Sequence, residues 1–415
     1  MVTGQRAWDP PEPIPNSEVK PRSVRDISVV FGYAKSRKLV TTLLQKQTIA
    51  KTFLPRTLFM GMPKIITKDD VNALAIGGTI LGGGGGGWPE IGLKEGNLAL
   101  EIGKIELWEP EEANPEWKVI TSAALGAPTE PGETKPMHFI IAAQILRDAG
   151  VNFQGVIAAE NGGHNSFGGW VIAAAFGLPV VDTPGDGRAH PTALMGSMGL
   201  QRTKYDSVKV GVTEGSRIIS WGSLQSTGAA VRAQAQYMKA LVAMVRDPVP
   251  VSYTCMHGAP GAIKKAIDLG YKYQDAGEDP LKRVMAVAEY LEGELVCKVR
   301  ILEKQIEAKG GFDVGMMTLS DGDEEWELSY VNEYMTLEKN GKRLATFPDL
   351  MTTFNENGEP VTSAALEKDQ TIYLVNVPKE KIPVGDGNRY AEAYEPIEKA
   401  LRKPMIEYLS EYLKG

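Results

Sequence analysis

The chain reads as an α/β domain with βαβ units, followed by a β-rich domain and a C-terminal helix. Three observations predict this order. First, Gly155-Val-Ile-Ala-Ala159 and Leu178-Pro-Val-Val181 are short apolar runs separated by Trp170-Val-Ile-Ala-Ala-Ala-Phe176, which is long enough and Ala-rich enough for a crossover helix. Second, from about residue 293 the texture changes to β-branched and aromatic runs over residues 295–301, 325–331, 335–338 and 371–375. Third, the turn dipeptides Asp321-Gly322, Asn340-Gly341 and Asn357-Gly358 punctuate that region. At 415 residues with 43% apolar content, two domains are expected rather than one.

The elements follow in order. Thr67-Lys-Asp69-Asp70 predicts an N-cap with acids in the first turn, opening a helix from Val71 to about Ile80 with apolar Val71, Leu74, Ala75 and Ile80. It runs into six consecutive glycines, 82–87, closed by Trp88-Pro89. A second helix is expected over residues 91–102, a strand over 117–123, a loop over 126–132 and an amphipathic helix over 137–149 ending at Gly150. Beyond the central βαβ unit, residues 209–212 and 217–220 read as strands or hairpin arms, 229–245 as a long helix, 251–254 as a strand and 262–269 as a helix. Residues 394–413 return to helix, placed to pack back on the first domain. The expected organisation is a flexible basic extension over 1–61, an α/β domain carrying the site over 62–290, a β-rich domain over 291–385 and a helical tail over 386–415.

Charge narrows the function classes. Residues 1–61 hold ten Lys/Arg against four Asp/Glu, while the remainder holds 35 against 48, giving −7 overall. An acidic body argues against nucleic acid as a partner. Met60 and Met62 allow a native start just before the first helix, with the upstream residues an extension. No apolar run approaches the ~20 residues of a membrane span and the first residues lack a secretory core, so a cytoplasmic location without membrane partners is expected. Cys255 and Cys297 lie far apart without paired spacing, which argues against a disulfide framework.

The chemistry concentrates just after the two central strands. Glu160-Asn161-Gly162-Gly163-His164 follows the first, and Asp182-Thr-Pro-Gly-Asp186-Gly-Arg188-Ala-His190-Pro follows the second. In open parallel sheets ligands bind outside the carboxyl ends of the strands, so these clusters are expected to share one crevice. Glu160, Asp182, Asp186 and His190 are the candidate acid–base groups. Asn161, His164 and Arg188 are the candidate substrate contacts, with Gly83, Gly84, Gly85 and Gly86 offering unobstructed N–H groups to a carbonyl or anion. Asp186 also fits a turn around Pro184-Gly185, and Glu160 could cap a helix or pair with Arg188. Asn332-Glu333 and Pro348-Asp349 are assigned to turns of the β domain. Asp182, His164, His190, Cys255 and His257 are candidate ligands for one divalent metal such as zinc, although no compact ligand spacing supports it.

With these motifs assembled, the chain resembles the S-methyl thiohydantoin desulfurase-like family, long known only as hydantoinase-related proteins of unknown function. The resemblance rests on the glycine turn, Glu-Asn-Gly-Gly-X-Asn at 160–165, the segment from Val180 to Pro191, Tyr330-Val-Asn332-Glu333 and Phe347-Pro348-Asp349-Leu350, in that order over roughly residues 64–397. His164 and His190 depart from the more apolar residues expected there. The resemblance implies an α/β N-terminal domain, a β-rich C-terminal domain and hydrolysis of a five-membered hydantoin-like ring. A hydrolase acting on such a cyclic amide or amidine through activated water is therefore expected, as a homo-oligomer. The alternative is a non-catalytic protein that binds an anionic metabolite or nucleotide. The glycine run follows a helix and lacks Lys-Ser/Thr, so it is neither a P-loop nor a dinucleotide fingerprint.

Overall fold

The capping motif at Thr67 opens the first helix. The computed structural model describes residues 61–126, 134–309 and 312–414; the expected basic extension lies outside them apart from Gly61, as does most of the 126–132 loop. After a short strand β1 (Lys64–Ile65), Thr67 and Asp70 cap helix α1 (Lys68–Leu81) reciprocally. The Thr67 hydroxyl accepts from the Asp70 N–H at 3.2 Å and the Asp70 carboxylate from the Thr67 N–H at 2.9 Å. Helix α2 (Pro89–Ile102) begins with proline at its first position, where the missing N–H costs nothing.

Next come β2 (Glu106–Trp108), β3 (Lys118–Leu125), α3 (Pro136–Asp148), β4 (Gly155–Ala158), α4 (Trp170–Phe176) and β5 (Val180–Val181). Strands β4 and β5 are parallel neighbours through Val156 and Val180, as the βαβ reading requires. Trp170, Val171 and Ile172 of the crossover helix are fully buried, each contributing about 1.5–3 kcal/mol of apolar burial. Gly177, at φ +63°, ends that helix in a left-handed conformation that suits glycine.

Strands β6 (Ser207–Thr213) and β7 (Ser216–Gly222) form the expected hairpin. The stretch expected as one long helix over 229–245 divides. Helix α5 (Leu224–Met238) stops at Lys239, which is left-handed at φ +48°, and β8 (Val242–Pro250) follows. Val242, Val245 and Val249 are stiff β-branched residues that fit a buried pleated position better than another two helical turns. Residues 251–254, expected as a strand, are instead the start of helix α6 (Val251–His257), with Pro250 at its N-cap. Pro250 is exposed at the end of β8, so the chain leaves the sheet there despite its strand-like composition.

The first sheet has the order β1-β2-β5-β4-β3-β8-β6-β7. Its centre, β2, β5, β4 and β3, is parallel, while β8 joins β3 antiparallel and links to the hairpin. Helices α7 (Ala262–Asp275) and α8 (Pro280–Tyr290) complete this half.

The second sheet contains β9 (Glu294–Lys309), β10 (Phe312–Ser320), β11 (Glu325–Val331), β12 (Glu333–Lys339), β13 (Lys342–Thr346), β14 (Leu350–Phe354), β15 (Pro360–Val361) and β16 (Thr371–Val377). Its order is β13-β12-β11-β10-β9-β16-β14-β15, with every pairing antiparallel. One apolar core runs from α1 and α7 of the first half to Phe354, Tyr373 and Val375 of the second. The two domains therefore exclude water jointly. The tail holds one short helix α9 (Glu395–Leu401) and three 3-10 turns rather than continuous helix; α9 itself stops because Arg402 is left-handed and Pro404 follows. Tyr394 and Ile397 pack with Met195 of the first half and Val331, Met335 and Phe347 of the second, so the tail closes the seam between them.

Candidate functional site

A cleft of about 100 Å³ opens at the carboxyl ends of β3 and β4. Its floor is Ala123 to Gly126 and Ala159-Glu160, one side is Gly86-Gly87, and Arg232 of α5 and Arg246 of β8 form another. Asn332-Glu333 arrive from the second sheet, so both domains build the site. This is the position that parallel-sheet geometry favours for a ligand, since β3 and β4 point their last residues into open space.

Glu160 is held firmly. Its Oε1 accepts from the Asn165 side chain at 2.6 Å and its Oε2 from the His190 N–H at 3.1 Å. Burial raises its carboxyl up to about 8, against the opposing pull of those two donors. The buried His190 ring lies beside it, with Nε2 at 3.2 Å from Glu160 Oε2. Burial and the nearby Arg246 cation depress the imidazole to about 3, so His190 is neutral. The neutral ring forms a wall of the cleft beside Glu160. His164 also lines the cleft, but its Nε2 is engaged with the buried Glu95 carboxylate of α2 at 2.8 Å.

Glu333 is the group that sequence reasoning passed over. It is buried, it lines the cleft, and its Oε2 has no hydrogen-bond partner. Burial pushes its carboxyl well above the ordinary range, and the neighbouring Glu160 charge adds to that, while Arg188 pulls back. Desolvation and the repulsion between the two carboxyl groups both favour the protonated form of Glu333. Asn332, beside it, is indeed a turn residue: it is left-handed at φ +58° and exchanges bonds with Asp313. That turn is what aims Glu333 at the cleft. A carboxylate opening the buried first half of β12, directly after the Asn332 turn, was the available signal.

The glycine run is explained by close approach. Gly83, Gly84, Gly86 and Gly87 all have positive φ. A Cβ on Gly85 would stand 2.1 Å from Glu333 Oε1, and one on Gly86 2.4 Å from the Gly162 backbone. The carbonyls of Gly83 and Gly84 accept from the N–H groups of Tyr334 and Ser363, and that of Gly86 from His164 and Asn165. The loop thus stitches the two halves together, and only Gly86 and Gly87 face this cleft.

Several expected site residues are committed elsewhere. Asp182 is fully buried, but its two oxygens accept from the N–H groups of Ile263 and Lys264 at 2.7 and 2.9 Å, so it caps α7. Burial raises its carboxyl to about 7 while those donors oppose the shift. Asp186 ties down the C-terminal segment by accepting from the Gly187 and Gly385 N–H groups and the Asn388 side chain. Asn161 donates to the carbonyls of Gly187 and Ala262 and accepts from Ser166. The Arg188 guanidinium donates to the carbonyls of Ala189, Pro348, Asp349 and Tyr334 and lies over the Phe347 ring at 4.3 Å. None of these four lines the cleft. His257 pairs with Asp386 at 2.9 Å, and Cys255 contacts the Pro110 carbonyl. Of the metal candidates Asp182, His164, His190, Cys255 and His257, only His164 and His190 line the cleft, and no group of three metal-binding side chains occurs among the described residues.

The arrangement has the parts for proton transfer to a small polar ligand: two carboxyls, a neutral imidazole and two guanidinium groups in one enclosed space. Arg246 went unnoticed because it falls just past the helix expected over 229–245 and in no expected element, and Arg232 because nothing in α5 distinguishes it.

Comparison with known proteins agrees with this fold. The chain matches no curated protein. A crystal structure of a protein from Chromobacterium violaceum aligns with 84% of this chain and 97% of its own, at 17% identity and a TM-score of 0.59, which speaks to the fold alone. Residues 69–220 match the S-Me-THD-like N-terminal domain and residues 223–382 the S-Me-THD-like C-terminal domain. Both domains follow in the right order over most of the chain, and the protein belongs to the S-Me-THD-like family.

Proposed function

We propose that the protein is a hydrolase acting on a five-membered cyclic amide or thioamide of the hydantoin type, with Glu160 and Glu333 as its acid–base pair. The observation that carries this reading is the pair itself: two buried carboxyls of raised pKa, from different domains, at one cleft. Water adds to the ring carbon that bears oxygen or sulfur, forming a C–O bond while the ionised carboxylate takes its proton. The protonated partner then delivers a proton to the departing ring nitrogen or methylthio sulfur as that bond breaks. The Gly87 N–H and Arg246 are the available groups to stabilise the oxyanion.

Size supports a small substrate. A cavity of roughly 150 Å³ holds a benzene-sized ligand, so about 100 Å³ with an open mouth suits a single five-membered ring. The test is incubation of the protein with hydantoin, thiohydantoin and S-methyl thiohydantoin, following ring absorbance and released thiol, beside Glu160→Gln. Turnover that falls by about 100-fold or more in the variant supports the reading. A folded protein that binds these rings without turning any over would instead favour a binding protein.

A further inference from the structure

His164 lines the cleft beside Gly86 and Gly87, and the acid–base pair leaves it without a task. Its Nε2 lies 2.8 Å from Oε2 of Glu95, a residue of α2 that is 3% exposed and has no other hydrogen-bond partner among the described residues. A carboxylate can only accept, so Nε2 carries the proton and the neutral imidazole keeps its lone pair on Nδ1. The surroundings hold the ring that way round. The His164 N–H donates to the Gly86 carbonyl at 3.0 Å, and the Phe139 ring meets the imidazole edge-on at 6.4 Å. Glu95 does not line the cleft, whereas Gly87 does, and a Cβ on Gly87 would stand 3.5 Å from His164 Nδ1. Nδ1 is thus the nitrogen beside the cleft wall, and no donor among the described residues reaches it.

The remaining acceptors of the cleft are taken. Both Glu160 oxygens already receive hydrogen bonds, from the Asn165 side chain and the His190 N–H, and burial favours the protonated form of Glu333. A ring of the hydantoin type brings N–H groups as well as carbonyls, and an N–H buried without an acceptor is costly.

We propose that His164 selects rings with a free N–H, its Nδ1 accepting that hydrogen bond while Glu95 fixes the tautomer. This rests on the reading of the cleft as a ring-hydrolysing site, and the experiment separates the two. Hydantoin is compared with hydantoins methylated on either nitrogen, and with succinimide, in which a methylene replaces one N–H, both for kcat/KM and for calorimetric binding. The wild-type protein is expected to disfavour at least one of these analogues by about tenfold or more in both measures. Glu95→Leu combined with His164→Phe replaces the buried pair by apolar side chains of similar size, a change that buried pairs often tolerate, and should bring that ratio towards one. A ratio that survives in the folded double variant would mean that size excludes the poorer ring, and would overturn the proposal, as would equal values in the wild type. Nitrogen NMR reads the tautomer directly, the His164 signals being identified among the four histidines by their loss in the double variant. The proton of the neutral ring is expected on Nε2, and a proton on Nδ1 would overturn the role of Glu95. Should no ring be turned over, an N–H preference in binding that the double variant abolishes would uphold the acceptor and reject hydrolysis. Turnover without that preference would overturn the acceptor alone.

Discussion

Glu160 stores the tension between stability and chemistry in one side chain. Its ordinary value near 4.5 rises to about 8 because burial disfavours the charge. Between those values the folded protein holds a proton that the unfolded chain has released, so its contribution is full below the window and stability falls as pH rises through it. Glu160→Gln removes the penalty while keeping the shape. The melting temperature of the variant relative to wild type is therefore expected to climb between about pH 5 and about pH 9, by about 2 °C or more. A difference that stays flat across that range would mean that Glu160 titrates like an exposed carboxyl. Asp182 illustrates the limit of reading single residues: an acid after a parallel strand was a sound candidate, but the N-terminus of α7, eighty residues further along the chain, claims both its oxygens. No local pattern around Asp182 announces that partner.

At the scale of elements, the strongest local signals translated directly into structure. The Thr67–Asp70 box, the βαβ unit and the β6–β7 hairpin all rest on neighbours in sequence, which is why they were legible. Helix α6 and strand β8 were not, because tertiary placement overrode composition at each. The glycine run was visible, but its reason was not, since its partners Gly162, Glu333 and Tyr334 are remote in sequence. Two substitutions separate backbone strain from crowding. Gly86 and Gly150 are both left-handed, at φ +77° and +84°, but a Cβ on Gly150 meets nothing within 4 Å. Gly150→Ala should cost only about 1–2 kcal/mol in denaturant unfolding. Gly86→Ala should cost about 3 kcal/mol or more, because the Gly162 backbone cannot yield. Equal costs would show that the loop relaxes freely and does not bind the two halves together.

For the whole molecule, the candidate site lies at the seam. Glu160 and His190 come from the first sheet's loops, Glu333 from the start of β12, and the glycine loop, Arg188 and Asp186 fasten the halves around them. The two-domain order was legible because strand texture and turn dipeptides change along the chain. The convergence of Glu160 with Glu333 was not, because 173 residues separate them and the loops that unite them carry no shared motif. In the proposed reaction this inter-domain carboxyl pair, rather than Asp182, performs the proton transfers. Its most direct test is ring turnover by Glu333→Gln beside Asp182→Asn, each measured on the folded fraction. Glu333→Gln is expected to lose about 100-fold or more in kcat/KM, while Asp182→Asn lowers the melting temperature and keeps most of the activity. Full activity in Glu333→Gln, with loss confined to folded Asp182→Asn, would contradict it.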